Sequence, residues 1–459
     1  MSELTMRDVI EKAETGPICL EKDFDRKTLR FTLNEVIREY DIRYDPDNLI
    51  PSDNTLADDV FKAAFDLYLK TGTLCLSTHR QIQFEDAEIK EALRNSPNKI
   101  TFGEGRDARE MSNRNVEDPH PPLCLTSGGG EVSEDIYVQV VQSYAQESLA
   151  DTISGGCPLK TIFGMVPKAG APAEVLASIY NLLYSKEGAK RANRPLIGFH
   201  NLLGSALSEA AYIAAIQPDL GVRPVDGILI ASLAELKTDY CQLTKALYYS
   251  ERKDVLVGGV YVPLMGGYAG GPEGTAIATV AHHLQGLLVH HVAYADYPAL
   301  HLRYSCSTAR ESLWVSSVVA QALSRNSHLL TASEAITAAG PCTEMCLYEI
   351  AANSIVGTVS GVHINSASAA KSQYTDRNTG MEGKIGCEVG HAVTGMKRTD
   401  ANELVNSLVS QYEQNLTNPP LGRTFQECYD LKTVKPSEEY VNLYLQVKKE
   451  LQELGLVFE

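Results

Sequence analysis

From about Leu123 onward the chain alternates short apolar segments with amphipathic stretches. The apolar runs fall near 151–156, 195–200, 226–232, 254–265, 300–306 and 328–339. Between most of them apolar residues recur three and four apart, as in Ala173 to Leu183, Ala206 to Ala215 and Ala276 to Val289. That spacing places the apolar side chains on one helical face, whereas the short runs have the length of buried strands. Repeated strand–helix–strand units predict a parallel sheet, and so many of them favour a closed (β/α)8 barrel of the TIM type over an open sheet. Upstream, Thr55-Leu56-Ala57-Asp58 has the form of a capping box. Phe61, Phe65 and Tyr68 follow on one face, with Gly72 as the stop. At the other end Ser437 caps a helix whose first turn carries Glu438 and Glu439, with Tyr440, Leu443, Val447, Leu451 and Leu454 on one face. The expected organisation is a single domain over 1–459. N-terminal helical additions occupy 1–120, the barrel 121–400, and a helical region with a docked C-terminal helix 401–459.

Composition narrows the function classes. Hydrophobic residues at 44% supply a large core, and no run reaches the ~18 apolar residues of a membrane span. The N-terminus has no basic and apolar leader pattern, so the chain reads as cytoplasmic. With 41 Lys plus Arg against 58 Asp plus Glu, the net charge of −17 repels phosphate backbones and anionic lipid, arguing against nucleic acid and membrane partners. The ten cysteines carry no secretory framework and read as thiols.

In a barrel of this kind the chemistry sits where strands end at their C-terminal side. His200 and Asn201 close the run Leu196-Ile197-Gly198-Phe199 and fall there. Gly266-Gly267-Tyr268-Ala269-Gly270-Gly271 places four glycines in six positions, either a surface on which a flat cofactor or partner loop rests or a tight turn. Thr126-Ser127-Gly128-Gly129-Gly130 lacks the Gly-Lys-Ser/Thr of a phosphate loop. Cys342 and Cys346 are four apart, one helical turn, and Cys306 ends an earlier run. Clustered thiolates would suit zinc, and buried structural thiols are the alternative. His282, His283, His290 and His291 lie in a helical pattern among leucines, most of them as packing residues.

Three motifs then carry a family resemblance: Pro263-Leu264-Met265 with the glycine segment, Gly340-Pro341-Cys342-Thr343-Glu344-Met345-Cys346, and Thr424-Phe425-Gln426-Glu427-Cys428-Tyr429-Asp430. Gly105-Arg106-Asp107-Ala108, Ser133-Glu134-Asp135, Thr379-Gly380-Met381-Glu382 and Leu454-Gly455-Leu456-Val457-Phe458 add to it. Together they resemble the monomethylamine methyltransferases of methylotrophic archaea. The resemblance implies an oligomeric (β/α)8 barrel that delivers a methyl group to the Co(I) of a corrinoid carried by a partner protein, and a homo-oligomer in this case too.

The resemblance also marks departures. Counted from Arg194-Pro195, the family's pyrrolysine falls on His200, whose imidazole has no imine to capture an amine. Counted from the flanking motifs, the amine-contacting glutamate falls on Val260, and the glutamine and tyrosine fall on Glu334 and Ile336. The expected site is therefore His200 and Glu334 as catalytic residues, with Val260, Ile336 and Asn201 against the substrate. Gly267, Tyr268, Gly270 and Gly271 would form part of the corrinoid-docking mouth. Cys306 and Cys346 are separated by 39 residues, as in the zinc pattern of ether-cleaving methyltransferases. That pattern's aspartate position holds Ala278, with His282 one turn on, so His282, Cys306 and Cys346 form a candidate zinc set. The leading expectation is a corrinoid-dependent methyltransferase acting on a small methylated substrate, with a methoxylated aromatic as donor and His200 or zinc assisting the leaving oxygen. Monomethylamine as donor and a non-catalytic corrinoid-protein-binding barrel are the two alternatives.

Overall fold

The structure, a computed structural model, describes residues 4–458. Eight parallel strands form one sheet: β1 (Cys124–Thr126), β2 (Thr152–Ser154), β3 (Gly198–Asn201), β4 (Gly227–Ala231), β5 (Leu256–Val260), β6 (Tyr294–Tyr297), β7 (Leu330–Ile336) and β8 (His363–Ser368). All chain neighbours except β3 and β4 pair as strands, and Ile364 of β8 lies opposite Cys124 of β1. Between β3 and β4 the Leu202 amide donates to the Gly227 carbonyl at 2.9 Å, which closes the ring. A helix follows every strand: α1 (Tyr137–Ala145), α2 (Pro172–Arg191), α3 (Glu209–Ala215), α4 (Tyr240–Arg252), α5 (Pro272–Val289), α6 (Arg310–Asn326), α7 (Glu344–Ser360) and α8 (Gly380–Ala392). The fold is the expected (β/α)8 barrel. No helix among the described residues is long and apolar enough to cross a membrane.

Strand periodicity builds the interior in layers, because residues two apart share a face. Leu125, Leu229, Leu256, Tyr294 and Leu330 contribute to an apolar floor, joined from below by Phe102 and Met111 of the hairpin Lys99–Phe102/Arg109–Ser112. Moving two or four residues along the same strands reaches Ser127, Ala231, Val260, Asp296 and Glu334, where polar groups collect. Tyr294 dominates the floor. A β-carbon at Gly227 would meet its hydroxyl at 2.1 Å, and one at Gly258 its ring at 2.4 Å. The two strand glycines are thus the clearance into which that ring fits.

Three expectations are corrected. The strand anticipated at 300–306 is not a barrel strand. Leu300–His301 pairs outside the barrel with Leu264–Met265, and the barrel strand is Tyr294–Tyr297, which Asp296 had disguised as a polar stretch. The helix Asn54–Thr71, which packs against α5 and α6, is capped by Asp53, whose carboxylate accepts from the Thr55 amide at 2.8 Å; Thr55 is not its cap. Cys342 and Cys346 do not share a helix face, because Cys342 holds a φ of +60° in the turn before α7. Ser437 caps Glu438–Glu453 as expected, and Tyr440, Val447 and Leu451 are buried there, although Leu454 is exposed.

Candidate functional site

The C-terminal ends of the strands enclose a cavity of about 280 Å³. Its wall takes Ser154 from β2, His200 and Asn201 from β3, Leu229 and Ala231 from β4, Val260 from β5, Asp296 from β6, Glu334 from β7 and Asn365 from β8, with Ser127 just past β1. Because these positions continue the inward face of each strand above the leucine floor, the barrel delivers them to one place with no loop rearrangement.

The electrostatics follow from burial. Asp296 is inaccessible to solvent. Its Oδ2 accepts from Asn365 Nδ2 at 3.0 Å, and Asn365 Oδ1 accepts from Ser127 Oγ at 2.8 Å. Its Oδ1 has no partner among the described residues. Burial, reinforced by neighbouring Glu334, pushes the Asp296 carboxyl well above the usual carboxylate range. Glu334 accepts from Ser368 Oγ at 3.2 Å, and burial raises it to about 7. His200 places Nδ1 2.8 Å from Thr152 Oγ1, and burial lowers it to about 3. Its backbone carbonyl accepts from the Tyr294 hydroxyl. Near neutral pH the chamber therefore holds a neutral imidazole and two acids that resist ionisation while it is dry. His200 is a neutral hydrogen-bonding group there and not a cationic acid.

Four of the residues singled out in the sequence, His200, Asn201, Val260 and Glu334, line this cavity. Ile336 does not. A register shift between Ala335 and Ile336 carries it past the wall, where its amide and carbonyl pair with Ser307. Asp296, Asn365 and Lys245 were not foreseen. An aspartate flanked by Tyr294 and Tyr297 in an otherwise apolar run was the available signal for the first.

The zinc set is not assembled. His282 Nε2 lies 3.2 Å from Glu235 Oε2. Cys346 Sγ lies 3.5 Å from Thr337 Oγ1, and burial pushes its thiol well up. Cys306 is fully buried, with its thiol raised to about 12. Among the described residues no group of three or more His, Cys, Asp or Glu side chains is placed to hold a metal ion. The glycine segment is a compact turn at the rim. Gly266 and Gly270 have φ of +95° and +75°, the Gly266 amide donates to the Gly270 carbonyl at 2.8 Å, and half-exposed Tyr268 stands on it. No atom lies within 4 Å of a β-carbon placed at Gly270, so the outer side is open.

Comparison with known proteins matches residues 4–456 to the family described as monomethylamine methyltransferase MtmB. The chain is 34% identical over 453 residues to monomethylamine methyltransferase MtmB3 of Methanosarcina barkeri, covering 98% of each. It is 34% identical over 455 residues to monomethylamine methyltransferase MtmB of Methanosarcina mazei, again covering 98% of each. The crystal structure of the Methanosarcina barkeri monomethylamine methyltransferase superposes with a TM-score of 0.96 at 33% identity, covering 100% of this chain and 99% of the other. The crystal structure of a hydroxylamine MtmB complex superposes equally well.

Proposed function

Because the chain belongs to the monomethylamine methyltransferase family, we propose that it takes a methyl group from a small methylated amine and passes it to the Co(I) of a corrinoid carried by a partner protein. The observation that carries this reading is the pair of buried carboxyls, Asp296 and Glu334, in one cavity at the mouth of a barrel of this family. A protonated or fully substituted amine brings the positive charge that two such groups can accommodate. When the N–CH3 bond breaks, the electron pair stays on nitrogen and the amine departs neutral, with no anionic leaving group to stabilise. The corrinoid supplies the nucleophile; the barrel supplies orientation and electrostatics. Glu334, titrating near 7, holds the cation as carboxylate and takes a proton back from solvent once the neutral amine has left. Asp296 Oδ1 offers a second acceptor, and neutral His200 positions the substrate by hydrogen bonding. Gly267, Tyr268, Gly270 and Gly271, with Gly270 open on its outer side, form the rim against which the corrinoid protein docks.

A methoxylated aromatic donor is set aside. The relatives above are named for monomethylamine and not for an ether. The test is methylation of a reduced corrinoid protein, followed by absorbance, with mono-, di- and trimethylamine and with a methoxybenzoate. Methylation by an amine and not by the ether is the expected result. Methylation by the ether alone would sink the reading.

Proton linkage gives an independent check. A cation that binds the carboxylate form of Glu334 must displace its proton below pH 7. Affinity for an ammonium ligand is therefore expected to strengthen as pH rises from 5.5 to about 7 and then level off. Calorimetry in two buffers of different ionisation enthalpy should register proton release of up to about one per site below that pH. Proton uptake, or none, would remove the counter-ion role.

A further inference from the structure

Lys245, on α4, lines the same cavity as the two acids and carries the opposite charge. Its side chain is only 4% exposed. The ammonium donates to the Leu207 carbonyl at 2.7 Å and sits 4.4 Å from the centroid of the Tyr212 ring, and both residues also line the cavity. No carboxylate forms an ion pair with it among the described residues; burial lowers its affinity for a proton, and the Cys241 thiol hydrogen-bonds it. With the Leu207 carbonyl and the Cys241 sulfur as partners, the buried ammonium retains one unused donor. Gln242, one turn earlier on α4, faces the cavity as well, and its amide oxygen has no partner. Turning that amide would present a further donor. The space is also large for a methylammonium ion, which has two heavy atoms: about 280 Å³ compares with the ~30 Å³ that one water occupies in the liquid.

Resting on the methylated-amine reading above, we propose that the substrate is a zwitterion, a small N-methylated amino acid. Its carboxylate binds Lys245 and Gln242, and its ammonium faces Asp296 and Glu334. The carboxylate anchors the molecule without taking part in the reaction, so Lys245 sets specificity and holds the N-methyl group in line for transfer.

The test uses the intact protein without corrinoid, so that it does not depend on turnover. Calorimetric titration with N-methylglycine, N,N-dimethylglycine and N,N,N-trimethylglycine is expected to show binding of at least one. That affinity should be at least tenfold tighter than for the methyl ester of the same compound or the methylamine of equal substitution. Lys245→Met should weaken the amino acid at least tenfold, to the level of the ester, and Lys245→Arg should recover part of the loss. The ester comparison is made on the wild-type protein and stands even where a variant misfolds. Equal binding of acid and ester, or no binding of any acid, overturns the zwitterion. Transfer from simple methylamines would then leave the broader reading in place, whereas failure of every amine and amino acid to methylate the corrinoid overturns both.

Discussion

Glu334→Gln is expected to lower kcat/KM for the methylated amine by ~10²–10³-fold while leaving the protein folded. The carboxyl is buried at the end of β7, accepts from Ser368 Oγ at 3.2 Å and lies close enough to Asp296 to raise its affinity for protons. Glutamine matches its shape and can still accept from Ser368, so packing is conserved. What disappears is the ability to become a carboxylate when a cation arrives and to take up a proton again when the amine leaves neutral. Both losses act on the reacting nitrogen, so kcat should fall together with affinity. The pH dependence provides the signature. In the wild type binding strengthens through pH 7 as Glu334 ionises; in the variant that rise should vanish, because no group titrating near 7 is left to displace there. A variant within threefold of wild type, with the rise intact, would assign the proton exchange to another group.

Most of the barrel was legible because its signal is repeated. Five of the eight strands matched an apolar run and β1 lay at the edge of the region where alternation begins, whereas β6 and β8 were not read; the helical patterns named match α2, α3 and α5. The loss of β6 is instructive for the site. Tyr294–Tyr297 contains Asp296, and a charged residue in a four-residue strand removes the run on which such a reading depends. The neighbouring apolar stretch at 300–306 took its place. Missing β6 meant missing Asp296, since no inward position could be assigned on a strand not recognised. Lys245 was hidden for another reason. It lies in mid-helix, where a lysine normally faces water, and only the chain path through Leu207 and Tyr212 turns it toward the cavity. Position at the end of β3 was enough to single out His200, whereas Glu334 was reached only by counting from the family motif at Gly340-Pro341. The chemistry of neither was legible. An imidazole's proton affinity depends on how dry it is, and the burial that lowers His200 to about 3 while raising Glu334 to about 7 exists only once the barrel has closed. The cysteines show the same limit from the other side. The spacing of Cys306 and Cys346 fits a zinc pattern, yet each is packed as a buried thiol, and His282 is engaged with Glu235.

The floor on which this site rests gives the largest expected change in stability. Phe102→Ala should destabilise the protein by ~3–5 kcal/mol, measured as a loss of unfolding free energy in urea. Phe102 comes from a hairpin that precedes the barrel, is fully buried, and stands edge-on to Tyr294 with ring centroids 5.1 Å apart and planes at 87°. Removing the ring opens a void that Leu125, Leu330 and Ala332 cannot fill, since all three are fixed on strands. Phe102→Leu, which leaves most of the volume occupied, should cost less than half as much. The effect should also reach the chemistry. Tyr294 hydrogen-bonds the backbone carbonyl of His200 across the clearance left by Gly227 and Gly258, so an unsupported Tyr294 ring loosens the strand end that carries the imidazole. A fall in kcat/KM of the folded Phe102→Ala protein, with Phe102→Leu intermediate, would show that the apolar floor positions the polar layer above it. A loss of stability below 1 kcal/mol would instead mean that the hairpin merely covers the end of the barrel and bears none of the packing beneath the site.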